Sequence, residues 1–314
     1  MRRIDKSCLI GMRSPIRHLM VDHVANSVFT IAPERKAELD ADFDNFDIIY
    51  VNERRWKFCA DPKRREVFVS RGAVELIWCA SLAHFLFYTQ MVQGRMVDRV
   101  TVIDPRSDPI VGRALDLLRW AINCQLNGDM ADDWPQDLPA PQLSPPDGPD
   151  NAANELCLAS CAYILHHELA HIRLSHSAAV SDMLSLSQEK DADIEAAEWV
   201  LGSVDENTPM FTKRMLGVVQ GFLLTTAMGL YGGDLGGTRH PFSYDRLTSL
   251  LRRFSDTRNH VAKWIAFVVL DLHFQNSGRK LQRNTFADPE EGLEVLCDQL
   301  ANEVHGRVME ESDK

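Results

Sequence analysis

Apolar residues recur at helical spacing along most of this chain, and at strand spacing only near its start. Residues 1–45 show little periodicity. Asp47–Val51, Trp56–Cys59 and Glu66–Val69 are then β-branched or aromatic runs separated by charged and Asp-Pro turns, which predicts an antiparallel meander. A long helix is expected over 73–93 and a short strand over Val100–Ile103. Ser107 or Asp108 then caps a helix with Pro109 in its first turn and Gly128 at its end. Val111, Ala114, Leu115, Leu118 and Ile122 give that helix one core-facing side. Pro135, Pro139, Pro141, Pro145, Pro146 and Pro149 forbid regular structure over 129–150, so this stretch is a loop or linker. A helix capped by Asp150 or Asn151 follows, apolar nearly all round in its first half and therefore buried. Further helices are expected near 209–231, 241–255, 258–274 and 288–306. The balance is α+β and mainly helical.

The buried helix ends in polar chemistry. His167-Glu168-Leu169-Ala170-His171 is an HExxH motif, and residues four apart on a helix share a face. Two imidazoles can therefore grip one metal ion, with Glu168 beside the first ligand as a base for water. Burying such groups is costly unless something pairs with them, and a metal would. The run Gln188–Val200 is also helical in pattern. Glu189 and Asp193 share a face there. Glu189 completes a two-His, one-Glu zinc site, and Asp193 accepts a hydrogen bond from the outer nitrogen of a ligand histidine. Alone, such an acidic run would be a solvated face.

His240-Pro241 opens a helix continuing through Leu247, Leu250 and Leu251. Two readings of His240 stand side by side: a donor, with Tyr244, to the oxyanion formed when water attacks a carbonyl, or a capping or core-packed histidine. Arg246 orients a carboxylate or lies on the surface. His166, His176 and His260 gain no partner from spacing or context.

The pairing of HExxH with a downstream Glu189 resembles the gluzincin metallopeptidases. The wording "HHELAHIRLSH … QEKDADIEAAEWVL" looks like the phage-exclusion Lit protease family, with ImmA/IrrE-type and HtpX-type peptidases more distant. Thr238–Leu247 is similar to the His-Pro…Arg segment of several such families. The resemblance covers about residues 150–255 and implies a zincin-like fold, with a small antiparallel sheet over the HExxH helix whose edge strand can take substrate by strand addition. It further implies one zinc ion, a zinc-dependent endopeptidase activity, and cleavage of elongation factor Tu in a phage-triggered abortive defence. Such an enzyme needs a quiet resting state, and the Pro-rich segment is the place for that restraint. A repressor substrate, in the manner of ImmA-type proteases, is the alternative. A non-catalytic zinc-binding interaction protein is another, and it would have no use for Glu168.

Composition narrows the setting. With 314 residues, 45% hydrophobic and 25% charged, the chain is an ordinary globular one. A formal net charge of −11 argues against nucleic acid as a partner. Seven cysteines, with no CxxC pair, suit a reducing cytoplasm. Cys157 and Cys161 are read as core packing. No secretory signal is visible at the start. Ala73–Val92 and Met215–Tyr231 approach spanning length but carry Glu75, His84 and Gln220, so buried core helices are expected and membrane association is not. Three regions result: 1–128, an N-terminal α/β region with the sheet and two long helices; 129–150, the Pro-rich loop or linker; and 151–314, the helical metallopeptidase region.

Overall fold

A computed structural model describes residues 3–42, 46–93, 104–127, 133–142, 148–177, 180–232, 242–281 and 286–312. The strands are β1 (Arg3–Asp5), β2 (Asp47–Val51), β3 (Phe58–Asp61) and β4 (Glu66–Ser70). Their order is β1-β2-β4-β3, with β2 parallel to both β1 and β4, and β3 antiparallel to β4. The sheet is thus mixed, which corrects the expected antiparallel meander. Consecutive strands were expected to be neighbours, but β4 inserts between β2 and β3. The hairpin from β3 to β4 is tight: Asp61 Oδ1 accepts from the amides of Lys63 and Arg64 at 3.0 and 3.1 Å, and Arg65 takes a positive φ of 56°. β3 is left at an edge. Val100–Ile103 lies outside the described residues.

The strands feed a helical body. Ser70 ends β4 and caps α1 (Arg71–Leu86) by accepting from Ala73 N at 3.2 Å; a π-helical stretch, Phe87–Gln93, follows. α2 (Pro109–Asn127) starts as expected, with Asp108 Oδ1 accepting from Ile110 N at 2.8 Å. α3 (Pro149–Arg173) carries the HExxH motif. Its cap is Gly148, with no side-chain cap bond, and not Asp150 or Asn151, because Pro149 already supplies the first helical position. α4 (Asp182–Leu201), α5 (Pro209–Gly232), α6 (Ser243–Phe254), α7 (Val261–Asn276) and α8 (Pro289–Ser312) follow.

α3 packs against α1, α4, α5 and β3, so the motif helix is central and the edge strand lies on it. One apolar core joins Leu9 near the N-terminus to Leu300 on α8. The helices Arg71–Gln93 and Pro209–Gly232 are long and apolar enough to cross a membrane, yet their most apolar windows are 83% and 72% buried inside this fold. Cys157 and Cys161 are fully buried on α3, and all seven cysteines are free. The described part of the Pro-rich segment docks through Trp134, whose ring meets Trp78 and Trp120 at 5.9 and 5.1 Å. Trp78 Nε1 in turn donates to Asn154 at 2.7 Å. This anchor sits near the start of α3, about 20 Å along the axis from His167 at ~1.5 Å per residue.

Backbone contact brings α5 onto α3. A Cβ added at Gly217 would lie 2.7 Å from the backbone carbon of Ala159, whereas one at Gly112 on α2 would meet nothing within 4 Å. Alanine in place of a helical glycine gains about 1 kcal/mol from propensity, and overpacking costs about 1–3 kcal/mol. Gly112→Ala should therefore raise the melting temperature and Gly217→Ala lower it; a Gly217→Ala protein as stable as Gly112→Ala would show that the two helices are not in backbone contact.

Three fully buried histidines add a pH dependence. Burial holds the pKa of His84 down to about 4 and that of His166 to about 3, and pushes His273 well below its usual range. His84 Nε2 meets His273 Nε2 at 2.8 Å, and His166 Nε2 meets Val28 O at 3.0 Å. The unfolded chain binds more protons at these sites, so their contribution is intact above pH 6.5 and is lost as pH falls below it toward 4. Asp271, raised by burial to about 6, opposes them, as do Glu168, raised to about 7, and His167, held up to about 10. His171, held down to about 3, adds to the loss. Thermal melts should show a net fall in stability from pH 7 to 5; a flat profile would mean that the depressed histidines do not outweigh the groups that oppose them.

Candidate metal centre

Helical spacing on α3 places Tyr163, His167 and His171 on one face, looking toward α4, where Glu189 and Asp193 lie one turn apart. The ligand atoms converge. His167 Nε2 and His171 Nε2 are 3.2 Å apart, and Glu189 oxygens lie 3.5 Å from the first and 3.6 Å from the second. These are the separations expected of tetrahedral ligands, which stand about 3.3–3.4 Å apart when each is ~2.0–2.1 Å from zinc. His167, His171 and Glu189 form a group that could hold a metal ion.

Electrostatics make the same demand. Asp193 is 3% exposed and meets His167 Nδ1 at 2.9 Å. A proton on that nitrogen leaves the Nε2 lone pair free for a cation. Burial pulls the His167 pKa down, but Asp193 and Glu189 outweigh it and hold the ring up to about 10. Burial and the adjacent His167 charge push His171 down to about 3. The carboxylates thus draw positive charge into the imidazole pair, and a divalent cation satisfies that demand.

Arg246 on α6 completes the support. Its Nε and Nη2 each reach an Asp193 oxygen at 2.6 Å, and Nη2 lies 3.5 Å from Glu189. Burial would raise the Asp193 carboxyl, yet Arg246 and His167 outweigh it and keep the group below its usual range. Tyr163 OH adds a hydrogen bond to Asp193 at 3.2 Å. The sequence left Arg246 open between orienting a carboxylate and surface, and the structure gives it the former. Tyr163 was missed; its signal was its place one turn before His167 on the motif face.

Glu168, beside the first histidine, turns toward the edge strand and accepts from Ala60 N at 2.7 Å. Burial raises its pKa to about 7, with Glu189 adding to the rise and His167 working against it. A base poised near neutrality suits proton transfer to and from a reacting group.

Other expected residues fare differently. His240 lies outside the described residues. Tyr244 is fully buried and stacks on Phe242 at 5.2 Å, with Asp245 and Cys297 as the ionisable groups that affect it. Two residues apart on a helix point to opposite sides, so Arg246 reaches the cluster and Tyr244 faces α8. It is not brought to the site. His176, given no partner from sequence, lies with Nδ1 2.9 Å from His171 Nδ1. His260 caps α7, its Nδ1 accepting from Ala262 N.

With this geometry in place, a profile of the family described as Peptidase U49 matches residues 67–266, running from within β4 through the motif helix and Arg246. The chain belongs to the peptidase U49 family. Over 297 residues it is 28% identical to the cell death peptidase of Escherichia coli (strain K12), a match covering 91% of this chain and 98% of that protein. No solved structure matches. Both findings agree with the Lit-type resemblance carried by the motif pair, and the U49 assignment makes this protein a peptidase.

Within this U49 peptidase the Asp193–Arg246 pair is buried and bidentate, and removing one partner of such a pair costs about 3–5 kcal/mol. Arg246→Ala should lose stability on that scale in urea titrations. Arg246→Lys, which keeps charge but not the planar fork, should recover only part. A loss below about 1 kcal/mol for Arg246→Ala would place the arginine outside the support of the site.

Proposed function

We propose that this peptidase is a zinc-dependent endopeptidase of the HExxH type, with His167, His171 and Glu189 as ligands of a single ion. The convergence of two imidazole nitrogens and a carboxylate at 3.2–3.6 Å is the observation that carries the reading. When bound, zinc supplies Lewis acidity toward a peptide carbonyl and acidifies water. Glu168 accepts the proton of the attacking water and returns it to the leaving amine. The Ala60 amide holds one oxygen of Glu168, which fixes the direction of the other. Asp193 keeps the His167 ring oriented, with Arg246 balancing its charge. His240 is assigned the oxyanion-facing role and Tyr244 has none.

The substrate reading extends further. We assign the enzyme to the cytoplasm and to a protein target, elongation factor Tu, cut in a phage-triggered abortive defence. The support is the Lit-type motif pair, the name of the cell death relative and the free cysteines, which suit a reducing compartment. The cut removes a translation factor and so stops protein synthesis in the infected cell.

Two measurements test the reading. Elemental analysis should find one zinc per chain in both the parent protein and Glu168→Gln, while Glu168→Gln loses turnover by at least ~100-fold, the usual scale of lost proton transfer. An active Glu168→Gln protein would overturn the assignment of roles. New protein termini in a bacterial lysate incubated with the parent enzyme, and absent with Glu168→Gln, identify the target; termini in a repressor would replace elongation factor Tu.

A further inference from the structure

We propose that His176 is a positioning residue for the metal site, holding the ring of His171 so that its Nε2 faces His167 and Glu189. The inference rests on the zinc reading above and adds a residue to it.

The end of α3 builds this contact. Ser175 takes a left-handed conformation, φ 54°, just past the helix. His176 N then donates to His171 O at 2.9 Å and Ser175 N to Ile172 O at 3.3 Å, the bond pair of a Schellman turn. Such turns usually set an apolar side chain over the residue five positions back. Here both positions are histidines. Their rings meet edge to face, with centroids 4.9 Å apart and Nδ1 atoms 2.9 Å apart.

Two imidazole nitrogens at that distance share one proton. If His171 Nε2 is to offer a lone pair among His167 and Glu189, its proton must sit on Nδ1, and His176 Nδ1 must accept it. His171 then has a fixed tautomer and a fixed ring plane. The two ligand histidines are thus braced by different elements and by different chemistry: His167 by the Asp193 carboxylate on α4, His171 by a neutral imidazole on its own helix end. Outer partners of this kind set metal affinity, and losing one costs about 10–100-fold.

The backbone turn does not need the imidazole, so side chain and cap can be separated. Zinc affinity, measured by chelator competition, should fall about 10–100-fold in His176→Ala. His176→Asn, whose side-chain oxygen can accept from His171 Nδ1, should regain most of it. The double variant Ser175→Gly/His176→Ala removes the left-handed strain and secures the turn, and its affinity should stay low. Thermal melts of the zinc-free variants identify any that fail to fold, and the double variant carries the test if His176→Ala does. Zinc binding in His176→Ala equal to that of the parent would overturn the inference alone, as would recovery in the double variant or none in His176→Asn. A parent protein that takes up no zinc would overturn the metal reading and this inference with it.

Discussion

One buried carboxylate organises the centre of this molecule. Asp193 is touched by a histidine and a tyrosine from α3 and by the guanidinium of Arg246 from α6. An isolated carboxylate at that depth would cost several kcal/mol, so each partner is required by the others. The three helices are thereby held at one point by charge, and the His167 ring has its orientation decided by protein contacts alone. Glu189, one turn earlier on the same helix, takes its place from the same constraint.

Packing provides the rest of the frame. Gly217 lets α5 press its backbone on α3 opposite Ala159, and α1 and α4 close the other sides. The motif helix is therefore enclosed along much of its length, with its polar end reaching a sheet edge. The N-terminal segment is tied to the same body: Arg214, 2% exposed on α5, pairs with Glu34 at 2.7 and 3.0 Å, and Arg35 lies 3.8 Å over the Trp199 ring of α4.

Much of the site is legible in the sequence because its logic is local. Helical spacing alone aligns His167 with His171 and Glu189 with Asp193, and proline and aspartate announce the start of α2. What escapes reading depends on distant contacts or unusual backbone. Strand order is hidden because β4 inserts between strands that follow one another in the chain. β1 is three residues of mixed charge, too short to show a period. His176 is invisible because a serine, not a glycine, makes the left-handed turn that delivers it. The sequence puts Tyr244 at the site and leaves Arg246 open, and only the rotation of α6 decides that Arg246 meets the carboxylates.

The bond from the Ala60 amide to Glu168 has a consequence for anything that lines up along β3. That amide points away from β4, at the open rim of the sheet, and it is already engaged. A foreign chain pairing with this rim finds one rung of the ladder occupied, beside the acidic side chain. Its run of main-chain bonds is broken at a fixed place, whatever residues it carries.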